Sequence, residues 1–413
     1  MLITFSCKED INIDKTIHSL PRMEITIDEE KLWSPDSGLY VIGRNGIGNY
    51  CIPTKANYNQ KWEYPATVEY FIKNELAFSD RVGFRIKGNC SRSLSMKSIG
   101  LYWRSEYGNS KLQYPLFEHT NTTTFKRLVL RNSGNDFGYT QMKDAVNGGI
   151  IRGMANVDVQ SYQPCVVYLN GDYWGIHNLR EMISPRWFQY LYGVDEDKVD
   201  ILGHSELLTI VEFGDDSDFK TDVIQFLDNN DVSITKNYNI LAQKVDISSY
   251  VDYIIIQTYI ANKDWPKANT RWWRDKTSIN HNKWTWIFFD SDLSLELGWL
   301  DRVWIGDLYE NNAYRQDREG GFFIFNHLIK NKTFKAEFLN RYLYFLDNVF
   351  TIERTASVIN GIKSKISGEY PNHQKKWGVA SVSSWNKQVE DMKKFYKRRN
   401  PIMREIIKAL INE

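Results

Sequence analysis

The sequence predicts an α+β protein of two lobes, with a β-rich N-terminal lobe and a mostly helical C-terminal lobe. The chain has 413 residues, more than one hydrophobic core usually serves. Between Arg22 and about Glu181, short alternating apolar runs are separated by Gly, Asn and Pro, which is a strand pattern. Beyond Trp299, apolar residues recur at helical spacing. We therefore expect a tether at residues 1–20, a small lobe at 21–183 and a large lobe at 184–413.

The N-terminus predicts a lipid anchor. A short apolar run ends in Ser6 and Cys7, and charged residues follow at once, as at the end of a bacterial lipoprotein signal. Lipidated Cys7 would place the protein on the bacterial cell envelope. The alternative is a frayed N-terminus of a cytoplasmic protein. No apolar run approaches the length of a transmembrane helix.

The other three cysteines, Cys51, Cys90 and Cys165, are widely spaced and show no metal-type pairing. The sequence leaves open whether two of them form a disulfide.

The small lobe is predicted to be a twisted, largely antiparallel sheet, interrupted by one amphipathic helix near residues 139–154. Alternation and turn residues place the strands at residues 24–27, 38–42, 66–72, 82–86, 98–103 and 126–130.

Two features of this lobe could bind phosphate. The polar turn Lys87–Ser93 offers backbone N–H groups and Arg92 to phosphate oxygens, although a solvated hairpin would have the same composition. Arg131 follows an apolar strand, and its planar guanidinium matches phosphate oxygens bidentately. It could equally tie loops together through Asp136.

The segment from Pro185 to Lys244 carries no clear motif, and we interpret it as an insertion that joins the lobes. Residues 187–192 predict a helix, and the acidic run 215–218 predicts the N-terminal cap of a second helix.

The densest group of polar residues follows this insertion. A buried helix is predicted at 251–261 and two strands at 270–274 and 284–289, with Asp290 and Asp292 at the end of the second strand. Residues two apart on a strand share a face, and two crowded carboxylates usually accompany a cation. A solvated strand end is the alternative.

Composition excludes several classes of function. Lys and Arg number 52 against 51 Asp and Glu, so the net charge of +1 provides no basic field for nucleic acid and no polybasic membrane patch. Neither Gly-rich stretch, 43–48 or 83–88, is a phosphate-binding P-loop. Zinc-binding and serine-hydrolase motifs are also absent from the sequence.

Five motifs in order resemble the spore coat protein H (CotH) family of protein-kinase-like proteins. One run comprises Asn262-x-Asp264, Asn269, Trp273-Arg274 and Phe289-Asp290-x-Asp292. The others are Arg85-Ile86-Lys87-Gly88 with Ser91-Arg92-Ser93, Lys97-Ser98, Arg131-Asn132-Ser133-Gly134-Asn135-Asp136, and the stretch from Tyr168 to Glu181.

The resemblance implies a two-lobed, atypical protein-kinase-like fold that binds ATP with Mg²⁺ or Mn²⁺ between the small lobe and residues 262–292. Asp264 would orient or deprotonate the acceptor hydroxyl, while Asn269 and Asp290 would ligate the metal with support from Asp292. Lys97 would contact the phosphates and be held by Glu181. The remaining nucleotide-binding residues would be Arg85, Arg92, Arg131 and Arg180.

The acceptor would be a protein hydroxyl, on an unknown partner or on the chain itself, and residues 301–319 are a candidate specificity loop. Two other functions remain open. One is a catalytically weak surface protein that keeps the fold for adhesion or assembly. The other is a nucleotidyl or nucleotide-sugar transferase that uses the Asp290-x-Asp292 pair to hold a metal–diphosphate.

Overall fold

A computed structural model describes residues 15, 18–49, 54–205, 208–302 and 321–412. The chain forms two compact units. The first comprises the chain up to Met142, Ser161–Met182 and Gly361–Gln388, and the second comprises Lys143–Gln160, Ile183–Asn360 and Val389 onward.

The first unit is built around a closed sheet of seven strands in the order β1-β2-β3-β4-β7-β10-β9. All neighbours are antiparallel except β1 and β9. The strands of this unit are β1 (Arg22–Ile27), β2 (Tyr64–Ile72), β3 (Glu75–Lys87), β4 (Ser98–Tyr102), β5 (Leu112–Gln113), β6 (Thr124–Phe125), β7 (Arg127–Arg131), β9 (Gln163–Leu169) and β10 (Asp172–Glu181), with β5 and β6 paired separately.

Alternation along these strands separates an apolar interior from a polar outer face. Phe84, Ile86, Ile99, Leu101 and Leu179 are all fully buried in one apolar cluster inside the closed sheet. The residues between them therefore point outward.

The second unit contains a sheet with the order β12-β11-β13-β14-β8. Its strands are β8 (Asp158–Val159), β11 (Val199–Ser205), β12 (Leu208–Phe213), β13 (Thr270–Asp275) and β14 (Thr285–Phe288). Trp272 and Trp273 on β13 and Trp286 on β14 are buried. The predicted Trp-rich strand pair is therefore β13 and β14.

Helices dominate the rest of the chain. In chain order they are α1 (Glu29–Trp33), α2 (Lys143–Ile151), α3 (Pro185–Tyr192), α4 (Ser217–Phe219), α5 (Phe226–Asn229), α6 (Thr235–Leu241), α7 (Ile247–Tyr259), α8 (Gly321–Leu328), α9 (Lys332–Tyr344), α10 (Ile352–Ile366), α11 (Tyr370–Trp377) and α12 (Val382–Asn412). π-Helical stretches Lys220–Gln225 and Phe345–Val349 join α4 to α5 and extend α9.

The predicted α+β class is confirmed, with a β-rich N-terminal half and helices mostly in the C-terminal half. The predicted boundary near residue 184 lies beside the observed one at Met182/Ile183, but two segments differ. Residues 143–160, which hold the helix expected in the small lobe, belong to the second unit, and residues 361–388 belong to the first.

The strand predicted at residues 38–42 is wrong. This segment turns back onto α1, where the Leu39 and Tyr40 amides donate to the carbonyls of Lys31 and Leu32. Its alternating pattern reflects packing against a helix end rather than pairing in a sheet.

The predicted tether ends earlier than residue 20. His18 is buried, and its ring nitrogens contact Glu369 Oε2 at 2.5 Å and the Tyr168 hydroxyl at 2.8 Å. The Tyr173 hydroxyl donates to the other oxygen of Glu369 at 2.6 Å. The folded first unit therefore includes His18. Cys7 lies outside the described residues.

Within the described residues, no helix combines the length and apolarity needed to cross a membrane. Most of the candidate specificity loop at 301–319 lies outside the described part of the chain.

Candidate active site

The loop that follows α7 is fixed by Asn262. Its Nδ2 donates to Gln257 Oε1 at 2.9 Å, and its Oδ1 accepts the Asp264 amide at 3.2 Å. Asn262 is fully buried, so both bonds lie out of water. These bonds hold the backbone that carries Asp264, and the Trp265–Pro266 peptide that follows is cis.

Asn269 joins Asp264 to the loop after β14. Its Nδ2 donates to Asp264 Oδ2 at 3.3 Å and to the backbone carbonyl of Asp290 at 3.1 Å. Both bonds use the amide nitrogen. The Asn269 Oδ1 takes part in neither bond, so this oxygen can serve as a metal ligand.

Two residues of this cluster adopt backbone conformations that side chains disfavour. Asn269 has φ +59° and Asp290 has φ +53°, in the left-handed region. Such residues persist where the surrounding structure over-determines them, and they concentrate at functional sites.

The carboxylates of the cluster repel each other. Burial and then the neighbouring Asp290 carboxylate raise the pKa of Asp264 above its usual value, and the Asn269 hydrogen bond only partly opposes this. A group that binds a proton more readily than usual is suited to accept one from a hydroxyl.

Asp290 and Asp292 do not lie on one face of a strand, contrary to the prediction. β14 ends at Phe288, and the left-handed backbone at Asp290 breaks the alternation that would place both side chains on one face. Asp292 is 2 % exposed, whereas Asp290 is half-buried. Among the described residues, no group of three or more His, Cys, Asp or Glu side chains is arranged to hold a metal ion.

Sequence reasoning missed two residues on α2 that hold the loop between Asp290 and Asp292. Asp144 Oδ1 accepts from the Ser291 amide at 2.9 Å, and Asn147 Nδ2 donates to the Ser291 hydroxyl at 2.9 Å. They lie about 145 positions earlier in the chain, and no motif marks them.

In the first unit, the Lys97 side chain is bonded to the backbone of the preceding turn and packs against an aromatic ring. Its Nζ donates to the carbonyls of Arg92 at 2.6 Å and Leu94 at 2.8 Å, and lies 4.5 Å from the centroid of the Tyr58 ring. Lys97 is 3 % exposed, and burial lowers its pKa to about 7. The ammonium therefore fastens the turn between β3 and β4.

The expected pairing of Lys97 with Glu181 is wrong. Strand pairing places Glu181 opposite Leu128, and Leu128 opposite Leu101. Leu101 lies four residues after Lys97 in sequence, so Glu181 is displaced from Lys97 by four residues along the strand. Four strand residues span about 13 Å. Glu181 instead accepts the Ser161 amide at 2.5 Å.

Two of the predicted nucleotide-binding arginines share a cross-strand row. Arg85 on β3 pairs with Gly100, Gly100 with Val129, and Val129 with Arg180 on β10. All four residues point to the outer face of the closed sheet.

The surroundings of these arginines differ. The buried Nε of Arg85 has no hydrogen-bond partner among the described residues. The guanidinium of Arg180 is buried and lies 5.6 Å from the centroid of the Tyr162 ring. The outer face therefore holds two cationic groups with Gly100 and Val129 between them.

The other two arginines lie at strand ends. Arg131 is the last residue of β7, opposite Asn178 and half-buried. Arg92 donates to the carbonyls of Gly88 at 2.6 Å and Asn59 at 3.0 Å, so its guanidinium is engaged in holding the turn. Burial, and then Arg85, lower the pKa of Arg92.

The two cysteines in the described part of the chain differ in their bonding. Cys165 is a free thiol buried inside the closed sheet, and burial raises its pKa. Cys90, in the turn that Arg92 and Lys97 fasten, is disulfide-bonded.

Comparison with known proteins identifies one family. The family model described as CotH kinase protein matches residues 84–403, a range that contains every predicted site residue. No curated protein matches the chain in sequence.

Proposed function

Because the chain belongs to the CotH kinase protein family, we propose that it transfers a phosphoryl group from ATP to a hydroxyl group of a protein. The observation that carries this proposal is the cluster of Asp264, Asn269 and Asp290. The Asn269 carboxamide donates to the Asp264 carboxylate and to the backbone carbonyl of Asp290, and its own oxygen is left available as a metal ligand. In phosphoryl transfer the protein contributes mainly positioning and charge stabilisation, which such a cluster can provide.

The donor set of the cluster suits Mg²⁺ or Mn²⁺. The Asp290 carboxylate and Asn269 Oδ1 are hard oxygen ligands. The repulsion from Asp290, which adds to burial in raising the pKa of Asp264, is what a cation would relieve. Mg²⁺ is commonly held by one or two carboxylates together with substrate phosphates, so a cluster with few protein ligands is sufficient. When bound, the metal would neutralise charge on the phosphates.

We assign Asp264 as the group that accepts the proton of the attacking hydroxyl. Its raised pKa favours proton acceptance, and its bonds to Asn269 and through its amide to Asn262 fix its direction. Asn262 is buried and bonded on both sides, so its role is to position Asp264.

We assign charge neutralisation at the phosphates to Arg85, Arg131 and Arg180 rather than to Lys97. The Lys97 ammonium already has two carbonyl acceptors and an aromatic face. Arg85 keeps a buried Nε without a partner among the described residues, which an anion would satisfy.

The test uses ATP labelled at either the γ or the α phosphate, incubated with the protein, Mg²⁺ or Mn²⁺, and a hydroxyl-bearing protein acceptor. We expect the γ label to become protein-bound. Protein-bound α label would show AMP transfer instead, and nucleotide binding without either product would favour the surface-binding function.

We also propose that the protein works outside the reducing cytoplasm. Disulfides persist mainly in oxidising compartments, and Cys90 is disulfide-bonded. The lipid on Cys7 remains a prediction. Mass spectrometry of the native protein reads both features, and a reduced Cys90 together with an unmodified Cys7 would contradict this location.

A further inference from the structure

The loop that carries Asp290 is held by a directional chain of hydrogen bonds within the second unit. The Tyr396 hydroxyl on α12 donates to Asn147 Oδ1 at 2.8 Å. Asn147 Nδ2 donates to the Ser291 hydroxyl at 2.9 Å, and that hydroxyl donates to Asp144 Oδ1 at 3.1 Å. Each group therefore acts as donor to the next, and the chain ends on a carboxylate.

All four members are buried: Tyr396 and Asn147 are each 1 % exposed and Ser291 is fully buried. Breaking one link would leave polar groups without water to replace it, which is costly. Hydrogen bonds in such chains also strengthen one another. This series of hydrogen bonds is therefore rigid enough to fix the backbone of the loop that contains Ser291.

The hydrogen bonds fix the backbone next to Asp290, which is strained. Ser291 immediately follows Asp290, whose φ of +53° is disfavoured for a residue with a side chain. The Ser291 amide also donates to Asp144 Oδ1 at 2.9 Å, so the peptide that joins Asp290 to Ser291 is anchored directly. This anchor therefore fixes the backbone from which the Asp290 side chain projects.

Arg399, one helical turn after Tyr396, holds this part of α12 in place. Arg399 is fully buried and donates to the carbonyls of Thr258 at 2.8 Å and Tyr259 at 3.1 Å, at the C-terminal end of α7. A cation at a helix C-terminus is stabilised by the helix dipole. One turn of α12 therefore makes two contacts. Arg399 bonds to the end of α7, the helix that precedes Asp264, and Tyr396 begins the series of hydrogen bonds that reaches the Asp290 loop.

We propose that Tyr396, acting through Asn147 and Ser291, is a positioning residue that sets the metal affinity of the Asp290 loop. The inference rests on the proposed function, because it takes Asp290 as a metal ligand. Tyr396 does not touch the metal or substrate. Its contribution is to keep Asp290 in a conformation that the isolated loop would avoid.

The test measures Mn²⁺ binding by electron paramagnetic resonance on protein mixed with a non-hydrolysable ATP analogue. Tyr396→Phe removes one oxygen and keeps the ring, and should weaken Mn²⁺ binding about tenfold, as is usual for groups that orient metal ligands. Asn147→Leu, which breaks the chain one step later, should weaken it at least as much. Thermal unfolding checks that each variant is folded.

Tyr342→Phe is the matched control. Tyr342 is also fully buried in the second unit, and its hydroxyl contacts the Thr258 hydroxyl at 3.2 Å, away from the Ser291 chain. We expect its Mn²⁺ affinity to stay within about twofold of wild type, since it lies outside the orienting groups.

Each outcome separates this inference from the proposed function. If Tyr396→Phe and Tyr342→Phe bind Mn²⁺ equally well, the positioning role is wrong even where phosphoryl transfer is observed. If the wild type binds Mn²⁺ but transfers no label, the positioning role is still decided by the variants. A wild type that binds no Mn²⁺ overturns both.

Discussion

Lys97 in the first unit and Asp264 in the second are both charged groups removed from water, yet their surroundings differ. The Lys97 ammonium has two carbonyl acceptors within 2.8 Å and an aromatic face at 4.5 Å. Asp264 has a single amide donor on its side chain and a like charge nearby. The contacts of Lys97 stabilise its charge within the protein. The contacts of Asp264 do not, so a bound ligand would stabilise its charge.

This difference separates a residue that supports the fold from a residue available for chemistry. Type and position in a motif suggested a catalytic role for both. The contacts of each side chain distinguish them, and the following experiments test that distinction.

The largest effect is expected at Asp264. Asp264→Asn keeps the shape of the side chain but removes its ability to accept a proton, so the transfer rate should fall by about 10²- to 10⁴-fold. Nucleotide affinity, measured by calorimetry, should change little because the proposed partner of Asp264 is the acceptor hydroxyl.

Asp228→Asn, at an exposed position of the same unit, is the control and should retain wild-type rate. An Asp264→Asn variant that transfers phosphate at the wild-type rate would remove Asp264 from the chemistry.

An intermediate effect is expected at Arg85. Arg85→Gln removes a guanidinium with a buried Nε that lacks a partner among the described residues, and should weaken ATP binding about tenfold, the loss of one charged hydrogen bond. Lys97→Met should change ATP affinity less than about threefold, because its ammonium is already bonded within the unit.

Calorimetry on both variants, with the exposed Arg44→Gln as a control in the same unit, decides between them. A tenfold loss in Lys97→Met with none in Arg85→Gln would reverse the assignment and restore Lys97 as the phosphate contact.

The smallest effect is a pH dependence of stability. The pKa of Lys97 is about 7 in the folded chain against an ordinary 10.5, so the unfolded chain binds the proton more tightly between these values. The free energy of unfolding should therefore rise as the pH increases from 7 to 10. The slope is limited by the single-group maximum of about 1.4 kcal/mol per pH unit.

Denaturant unfolding at several pH values measures this slope, which Lys97→Met should abolish. Lys55→Met, at an exposed position in the same unit, should leave it unchanged. An unchanged slope in Lys97→Met would show that another group is responsible.

Local patterns were sufficient for much of the fold. The Trp-rich strands β13 and β14 and the helix α10 follow from period-two and helical spacing alone. β11 and β12 were missed because their pattern is interrupted by polar residues whose partners lie far away in sequence. Asp200 on β11, for example, is 1 % exposed and contacts Arg274.

The candidate site was predicted in part, and for a similar reason. Asp264, Asn269 and Asp290 lie within one stretch of chain, so motif order was enough to group them. The pairing of Lys97 with Glu181 depends on strand register, which the sequence does not provide. The contact between Asp144 and Ser291 joins residues 147 positions apart, beyond the reach of any local pattern.

The left-handed backbone at Asn269 has an evolutionary consequence. Glycine adopts this conformation without strain, so replacing Asn269 by Gly would relieve an energetic penalty of about 1 kcal/mol while deleting the carboxamide that links Asp264 to Asp290. A single substitution can therefore favour folding and remove the chemistry at once. We therefore predict that family members with Gly at this position keep the fold but do not transfer phosphate, which an activity assay of such a member would test.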